Sequence, residues 1–381
     1  MKSALSLFLQ FFTLGCTSFG GPTAHLGYFR TVFVEQKKWL SDNEYSQLIA
    51  LSQFLPGPGS SQVGFAIGLK RQGLLGGILA FIGFTLPSFL IMLAIALGVS
   101  EFTQQPFVTE LIAVLKIFAV FVVLDAVLGM AKSFCQDNHT VVLAVLTTCA
   151  IWLIPHPLVQ IACLFVAAIY GSLKLTINSE NHTSRSQFNL WPLVIFGGVF
   201  ILILSGLLPI SELFQQTFIA GSLVFGGGHV VLPLLQDYFA TSIGDNAFIT
   251  GYAAAQAIPG PMFTFATYLG ALSHPQAWLG AIIATLGIFL PGFILILALH
   301  KQWQSLAEQP KIAGLIKGVN AAVVGLLFAT LYDPIFTSAI HTSSDIAIAA
   351  MGFVLLRFIK LPILWILLLA VIVSGIRTWL L

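Results

Sequence analysis

Two short runs in this chain carry the same residue types at the same spacing: Gln53-Phe54-Leu55-Pro56-Gly57-Pro58 and Gln256-Ala257-Ile258-Pro259-Gly260-Pro261. Pro-Gly-Pro stops a helix, because proline lacks a backbone donor, clashes with the preceding turn and pushes its predecessor out of the helical region. Both runs nevertheless lie inside apolar stretches. Broken backbone at membrane depth is tolerated only where it packs in protein or lines a polar cavity. A helix beginning at such a break offers unpartnered N–H groups and a partial positive charge, which together hold anions. The residues after the first break, Gly59-Ser60-Ser61-Gln62, and after the second, Met262-Phe263-Thr264, add hydroxyls and an amide near those helix starts. Two glycine turns, Gly20-Gly21 and Gly226-Gly227-Gly228, permit close approach because no side chain projects from them. Oxyanion binding by main chain is therefore the chemistry these residues can do.

Several ionisable residues bear on the same chemistry. His25 and His229 flank the glycine turns and titrate near neutral pH, so they are candidate proton carriers beside ordinary hydrogen-bonding roles. Asp125 lies within an apolar span, where a carboxylate is a functional candidate, although Leu326 stands at the matching place in the second half. Lys116 and Lys317 occupy matching positions near the starts of two spans, where they either attract anions or snorkel to the interface. Arg30 is a third candidate for anion attraction, against a plain role as a surface charge. Gln53 and Gln256, about one turn before each break, either meet the anion or tie helices together.

The elements that position these residues belong in a bilayer. Of 381 residues, 57% are hydrophobic and only 8% charged, against roughly a quarter charged in soluble domains. Gly76–Val99, Leu111–Met130, Trp191–Leu208 and Gly280–Leu299 approach or exceed the ~20 apolar residues that cross a bilayer as a helix. The net charge of +2 gives no footprint for nucleic acid. Cys16, Cys135, Cys149 and Cys163 form no metal-binding spacing and read as small buried hydrophobes. Met1-Lys2 and the apolar run behind it read as a retained helix rather than a leader. No HExxH, Gly-x-Ser-x-Gly or Cys/His cluster points to an enzyme, and no cofactor is expected.

The second half repeats the first. Phe225-Gly226-Gly227 answers Phe19-Gly20-Gly21, Asp245-Asn246 answers Asp42-Asn43, and Leu290-Pro291-Gly292-Phe293 answers Leu86-Pro87-Ser88-Phe89. The offset stays between 201 (Lys116 to Lys317) and 206 (Phe19 to Phe225), which marks a duplication. Lys and Arg favour the cytoplasmic side, and their distribution reverses between matching loops. Arg30, Lys37 and Lys38 face a counterpart at 236–246 with only Asp237 and Asp245, and Lys70-Arg71 faces Ser273-His274-Pro275. The single additional span from Trp191 turns the second copy over. The expected fold is an all-α polytopic membrane protein with two inverted-topology repeats, containing broken helices or re-entrant helical hairpins. The expected divisions are repeat one at 1–175, a polar linker at 176–190, an additional span at 191–210 and repeat two at 211–381. Full crossings and hairpins both satisfy the parity; hairpins place Arg30, Lys37 and Lys38 on the same side as Lys2, Lys70 and Arg71. Such repeats serve alternating access about a midplane site, which favours a transporter over a passive anion channel or a sensor.

The motifs Ser18-Phe19-Gly20-Gly21-Pro22-x-Ala24-His25-Leu26-Gly27-Tyr28-Phe29-Arg30, Trp39-Leu40, Gln53 through Pro58 and Gly83-Phe84-Thr85-Leu86-Pro87-Ser88 resemble the chromate ion transporter family. The run Phe225 through Leu235 and Ala255 through Pro261 resembles the second half of its long, two-domain members. The likeness covers nearly the whole chain. It implies a multi-pass protein of the bacterial inner membrane that expels chromate and confers chromate resistance, as an anion antiporter or coupled to protons, with sulfate as a competing look-alike. The expected partners are that oxyanion and the lipid bilayer, with a homodimer compatible with the pattern.

Overall fold

The computed structural model describes residues 2–19, 21–102, 106–154, 156–175, 191–206, 210–225, 228–300 and 309–380, and these are helical throughout apart from short connections. The linker expected at 176–190 and the residues Gly20, Gly226 and Gly227 lie outside the described residues.

The first half opens with α1 (Lys2–Thr17) and α2 (Gly21–Phe29), which continues through a π-helical turn at Arg30–Gln36. On one continuous helix Phe11 and Phe33 would lie about 33 Å apart. Their rings are 4.8 Å apart instead, so the chain doubles back between α1 and α2. The next helix, α3 (Asp42–Phe54), starts with a capping box in which Ser41 and Glu44 satisfy each other's backbone amides. It ends at the first Pro-Gly-Pro, and α4 (Gly59–Phe102) follows. Lys70 of α4 forms an ion pair with Glu44 at the start of α3, and Arg71 sits 5.1 Å over the Trp39 ring. This pair too is a hairpin, with Pro56-Gly57-Pro58 at its tip. The stretch Gly59–Gly98 is long enough to cross a membrane, but Gln72 and Gly73 leave helical geometry and split α4 into two arms. The arms fold back so closely at Gly68 and Gly76 that a side chain on either would strike the other's carbonyl. The half continues with α5 (Pro106–Phe134) and the pair α6 (Asn138–Leu153) and α7 (Pro157–Lys174).

After α8 (Trp191–Leu204) the sequence of elements recurs as α9 (Glu212–Leu223), α10 (Val231–Ile243), α11 (Asp245–Ala257), α12 (Phe265–Ser273), α13 (Ala277–Leu299), α14 (Pro310–Thr330), α15 (Ser343–Arg357) and α16 (Ile363–Leu380). Phe248 and Phe265 stack edge-on at 5.1 Å, so α11 and α12 double back about the second Pro-Gly-Pro. Gly270 and Gly280 then repeat the close crossing of Gly68 and Gly76. Among the described residues, Pro106–Phe134, Ala277–Leu299 and Pro310–Ala339 are the other stretches long and apolar enough to span a bilayer. Large apolar side chains such as Leu153, Leu173, Trp191 and Trp379 remain exposed on the outside, as a lipid-facing surface requires. This is an all-α polytopic membrane protein.

Small residues set the packing, as they do where lipid removes the hydrophobic drive between helices. α1 lies against the second arm of α4 through Gly15 and Gly83, and α9 lies against α13 through Gly221 and Gly287. Between the halves the partners are exchanged. α14 packs on α6 and α7 through Gly314, Gly318 and Gly325 against Gly171, Ala167 and Ala144. Reciprocally, α5 packs on α15 and α16, where Phe121 fills the space over Gly352 and Ile366 joins Phe118 and Val122 in one apolar cluster. At the centre, Phe65 of the first half stacks on Phe293 of the second, with ring centroids 4.5 Å apart.

Candidate functional site

Each Pro-Gly-Pro tip is anchored on the other half. The Gly57 amide donates to the Val224 carbonyl at 2.8 Å, and the Gly260 amide donates to the Ser18 carbonyl at 2.9 Å. Gly57 has φ +127° and Gly260 φ +94°, backbone that a side chain disfavours. A Cβ on Gly57 would lie 3.0 Å from the Gly292 Cα, and one on Gly260 would lie 2.8 Å from Ser88 Oγ. Gln62 completes the first tip by donating from Nε2 to the carbonyls of Pro56 (2.9 Å) and Gly292 (3.3 Å). His25, fully enclosed, bridges Ser60 Oγ and the Ser18 carbonyl, each at 3.2 Å. It therefore fastens the first hairpin to the second.

A cavity of about 510 Å³ lies between these hairpins. Pro22 and Leu26 form one side, and Ser52 through Leu55 with Gly57, Gly59 and Ser60 form another. Ser133 and Phe134 from the end of α5 and Gly228 and Asn320 from the second half close it. None of these lining residues carries a charge. What the wall offers is the first turn of α4. The first amide there to find a main-chain acceptor is that of Gln62, on Pro58 at 2.9 Å; the amides of Gly59, Ser60 and Ser61 precede it, where no intrahelical acceptor exists. Buried polar atoms are nearly always partnered, yet Ser18 Oγ, Ser61 Oγ, Gln62 Oε1 and Asn320 Oδ1 have no hydrogen-bond partner. They mark the tips and the far wall as polar ground that the protein's own groups do not satisfy.

The second tip is closed. Pro259, Gly260 and Pro261 are all buried, and where the first half has Gly59 and Ser60 the second has Met262 and Phe263, each 3% exposed. The Met262 methyl group occupies the space over Gly228, on the cavity wall. Gln256 donates to His229 Nδ1 at 3.0 Å, which also takes the Tyr252 hydroxyl at 2.8 Å. Thr264 Oγ1 donates back to the Pro261 carbonyl at 2.8 Å. By contrast Gln53 is exposed at the cavity.

Sequence-predicted residues thus divide. Gln53, Gly57 and Ser60 line the cavity, with Pro56, Pro58 and Ser61 around the same tip and Gly21 at the start of α2, next to the lining Pro22. Arg30 is exposed and pairs with Asp42 (2.8 Å) and Glu35 (2.7 Å). Lys116 donates to Asn246 Oδ1 at 2.5 Å, and Lys317 pairs with Asp137 at 2.7 Å. Asp125 pairs with Arg357 at 2.6 Å. None of these four is among the cavity's lining residues. At the hairpin bases, the Lys70 ammonium and the Ser41 amide and hydroxyl hold the Glu44 carboxyl down to about 2. Among the described residues no group of His, Cys, Asp and Glu could hold a metal ion. Asn320 and Ser133 were not foreseen. Asn320 had a signal, as the one amide within the apolar run of α14, but it has no counterpart in the first half.

A family model described as chromate transporter matches residues 5–172 and, again, 211–376. The chain belongs to the chromate transporter family. It is 27% identical over 355 residues to a chromate transport protein of Pseudomonas aeruginosa, covering 86% of this chain and 80% of that one. A chromate transport protein of Cupriavidus metallidurans is 26% identical over 326 residues, covering 84% and 80%. An uncharacterized transporter of Methanocaldococcus jannaschii is 27% identical over 340 residues, covering 86% and 83%. No solved structure matches the chain.

Proposed function

We propose that this member of the chromate transporter family carries a tetrahedral oxyanion, chromate or the similarly shaped sulfate, across the cytoplasmic membrane by secondary transport. The observation that carries the proposal is the uncharged cavity that Gln53, Gly59 and Ser60 line at the first turn of α4, where the leading amides have no intrahelical acceptor. A dianion held by main-chain amides loses its hydration shell to preorganised donors and is not trapped by a fixed cation, so it can leave again. The relatives named as chromate transport proteins support the same substrate.

Alternating access is the mechanism we favour. Reciprocal contacts, in which one tip holds the other half and is held by it in the matching way, are those of a two-fold relationship. With α8 as the odd crossing between the halves, that axis lies in the membrane plane and the second half is inverted. The hairpin bases carry Arg30, Lys37, Lys38, Lys70 and Arg71, which assigns them to the cytoplasmic side. On this reading export is the direction and exchange against a counter-anion drives it, any proton bound with the oxyanion travelling with it.

Purified protein in proteoliposomes tests this with labelled chromate. Unlabelled chromate or sulfate on the far side should accelerate uptake, and a pH gradient should bias it. Uptake indifferent to the far side identifies a passive channel, and no flux of either anion refutes oxyanion transport.

A further inference from the structure

The hydrogen bonds of His25 fix a direction that bears on the proposed site. The Ser18 carbonyl can only accept, so Nε2 of the imidazole carries the hydrogen in the 3.2 Å contact between them. In the neutral ring Nδ1 is then an acceptor, and the Ser60 hydroxyl, 3.2 Å away, must donate to it. Ser60 lines the cavity, but in this state its proton points at the histidine and away from any ligand. A proton added at Nδ1 reverses that bond. Nδ1–H then donates to Ser60 Oγ, and the hydroxyl proton is released to turn into the cavity.

Resting on the oxyanion site proposed above, we infer that His25 and Ser60 form a proton-linked relay, in which protonation of His25 Nδ1 converts Ser60 into a hydrogen-bond donor for the bound dianion. The surroundings make the linkage mutual. Ser18, just past α1, presents its carbonyl, the first arm of α4 the Ser60 hydroxyl, and the second arm the Phe84 ring, edge-on at 5.2 Å. The Tyr45 phenol of α3 donates to the carbonyl of Leu26, the next residue along the chain, at 2.6 Å. No carboxylate, lysine or arginine among the described residues touches the ring. An imidazolium there has no resident counter-charge and is costly to bury. A dianion in the adjoining cavity supplies the missing charge, so anion and proton each favour the other's binding by the same factor. The copy-two histidine lacks this arrangement: His229 Nδ1 already accepts from Tyr252 and Gln256, and Phe263 stands in the place of Ser60.

The test uses the purified full chain and sulfate, which stays a dianion throughout the range where histidine titrates, with chromate at pH 8 as a control for the site. Sulfate should bind more tightly as pH falls from 8 to 6, by up to about tenfold per pH unit for one linked proton. Binding in weak buffer should take up protons from solution. His25→Gln, whose amide can still donate to Ser18, should abolish the uptake and flatten the pH profile. Ser60→Ala should flatten the profile as well, since the ring then has no hydroxyl to redirect. Sulfate affinity independent of pH in the unaltered protein, or a persisting profile in both variants, overturns the relay while leaving the site intact. Failure of chromate and sulfate to bind at any pH overturns the site and the relay together.

Discussion

The main-chain amide of Gly57 donates to the carbonyl of Val224 at 2.8 Å, joining the tip of one hairpin to the residue just past α9 in the other half. Gly260 and Ser18 make the matching bond, so each tip is held in place by backbone that belongs to its counterpart. Neither bond survives a change of backbone conformation at the glycine. A side chain on Gly57 meets the Gly292 main chain, and one on Gly260 meets Ser88.

Gly57→Val and Gly260→Val are therefore each expected to lower oxyanion flux at least tenfold while the protein still reaches the membrane. Holding a branched residue at positive φ costs of the order of 1–3 kcal/mol, enough to shift a tip and not enough to prevent insertion. Transport per unit of membrane-embedded protein measures it. Full flux in Gly57→Val would remove the tip from the mechanism.

Gln53 and Gln256 hold matching sequence positions and unlike surroundings, one at the cavity and the other bound to His229. Gln53→Ala is expected to weaken chromate binding about tenfold, the loss of roughly one hydrogen bond to a charged ligand. Gln256→Ala is expected to lower thermal stability and leave the affinity close to that of the parent. Equilibrium dialysis and a melting curve on both variants decide this, and equal losses of affinity would contradict a one-sided cavity.

Topology is open to chemical labelling. Gln36 and Thr241 are both exposed and lie in loops and helix ends whose charge bias is opposite. In a background without the four native cysteines, Thr241→Cys should react with an impermeant maleimide from outside intact cells, and Gln36→Cys should react only after lysis. Labelling of both from the same side would refute the proposed inversion of the second half.

Acid should loosen one specific joint between the halves. Asp137 caps α6 through the Thr140 amide at 2.9 Å and pairs with Lys317, which holds its carboxyl down to about 2. Because the folded value is depressed, the stabilisation is complete above the ordinary carboxylate value of about 4 and is lost as pH falls from there through about 2. Solvent screening keeps the ion pair's share below about 1 kcal/mol, and the cap adds about 1 kcal/mol. Asp137→Asn, which retains the cap, should lower the melting temperature slightly at pH 6 and not at about pH 1, below both the folded and the unfolded value. Asp137→Ala should lower it at both.

Much of the architecture was legible in the sequence because the chain states it twice. Paired breaks at Pro56 and Pro259 located the interrupted helices. The placement of Lys70 and Arg71 with Arg30 favoured hairpins, and the Lys70–Glu44 and Phe11–Phe33 contacts are those of hairpins. The same reliance on repetition hid what is unique. Asn320 aligns with Ala119 and Ser60 with Phe263, so a comparison of halves passes over the residues that make the cavity one-sided. Lys116 and Lys317 matched in sequence, but their partners, Asn246 and Asp137, come from different elements. Side-chain reach across the interface is set by three-dimensional packing, which spacing along a chain does not encode.

The crossing-over of helical partners, α5 with α15 and α16 and α14 with α6 and α7, sets an order of assembly during synthesis. When the ribosome has released residue 175, the glycine and alanine faces of α6 and α7 have nothing to close against, and α5 still awaits a pair more than 160 residues away. The first half must then linger beside the insertion machinery in an unfinished state. A truncation that removes only the last two helices would strand α5, far from the cut, as surely as it removes the helices themselves.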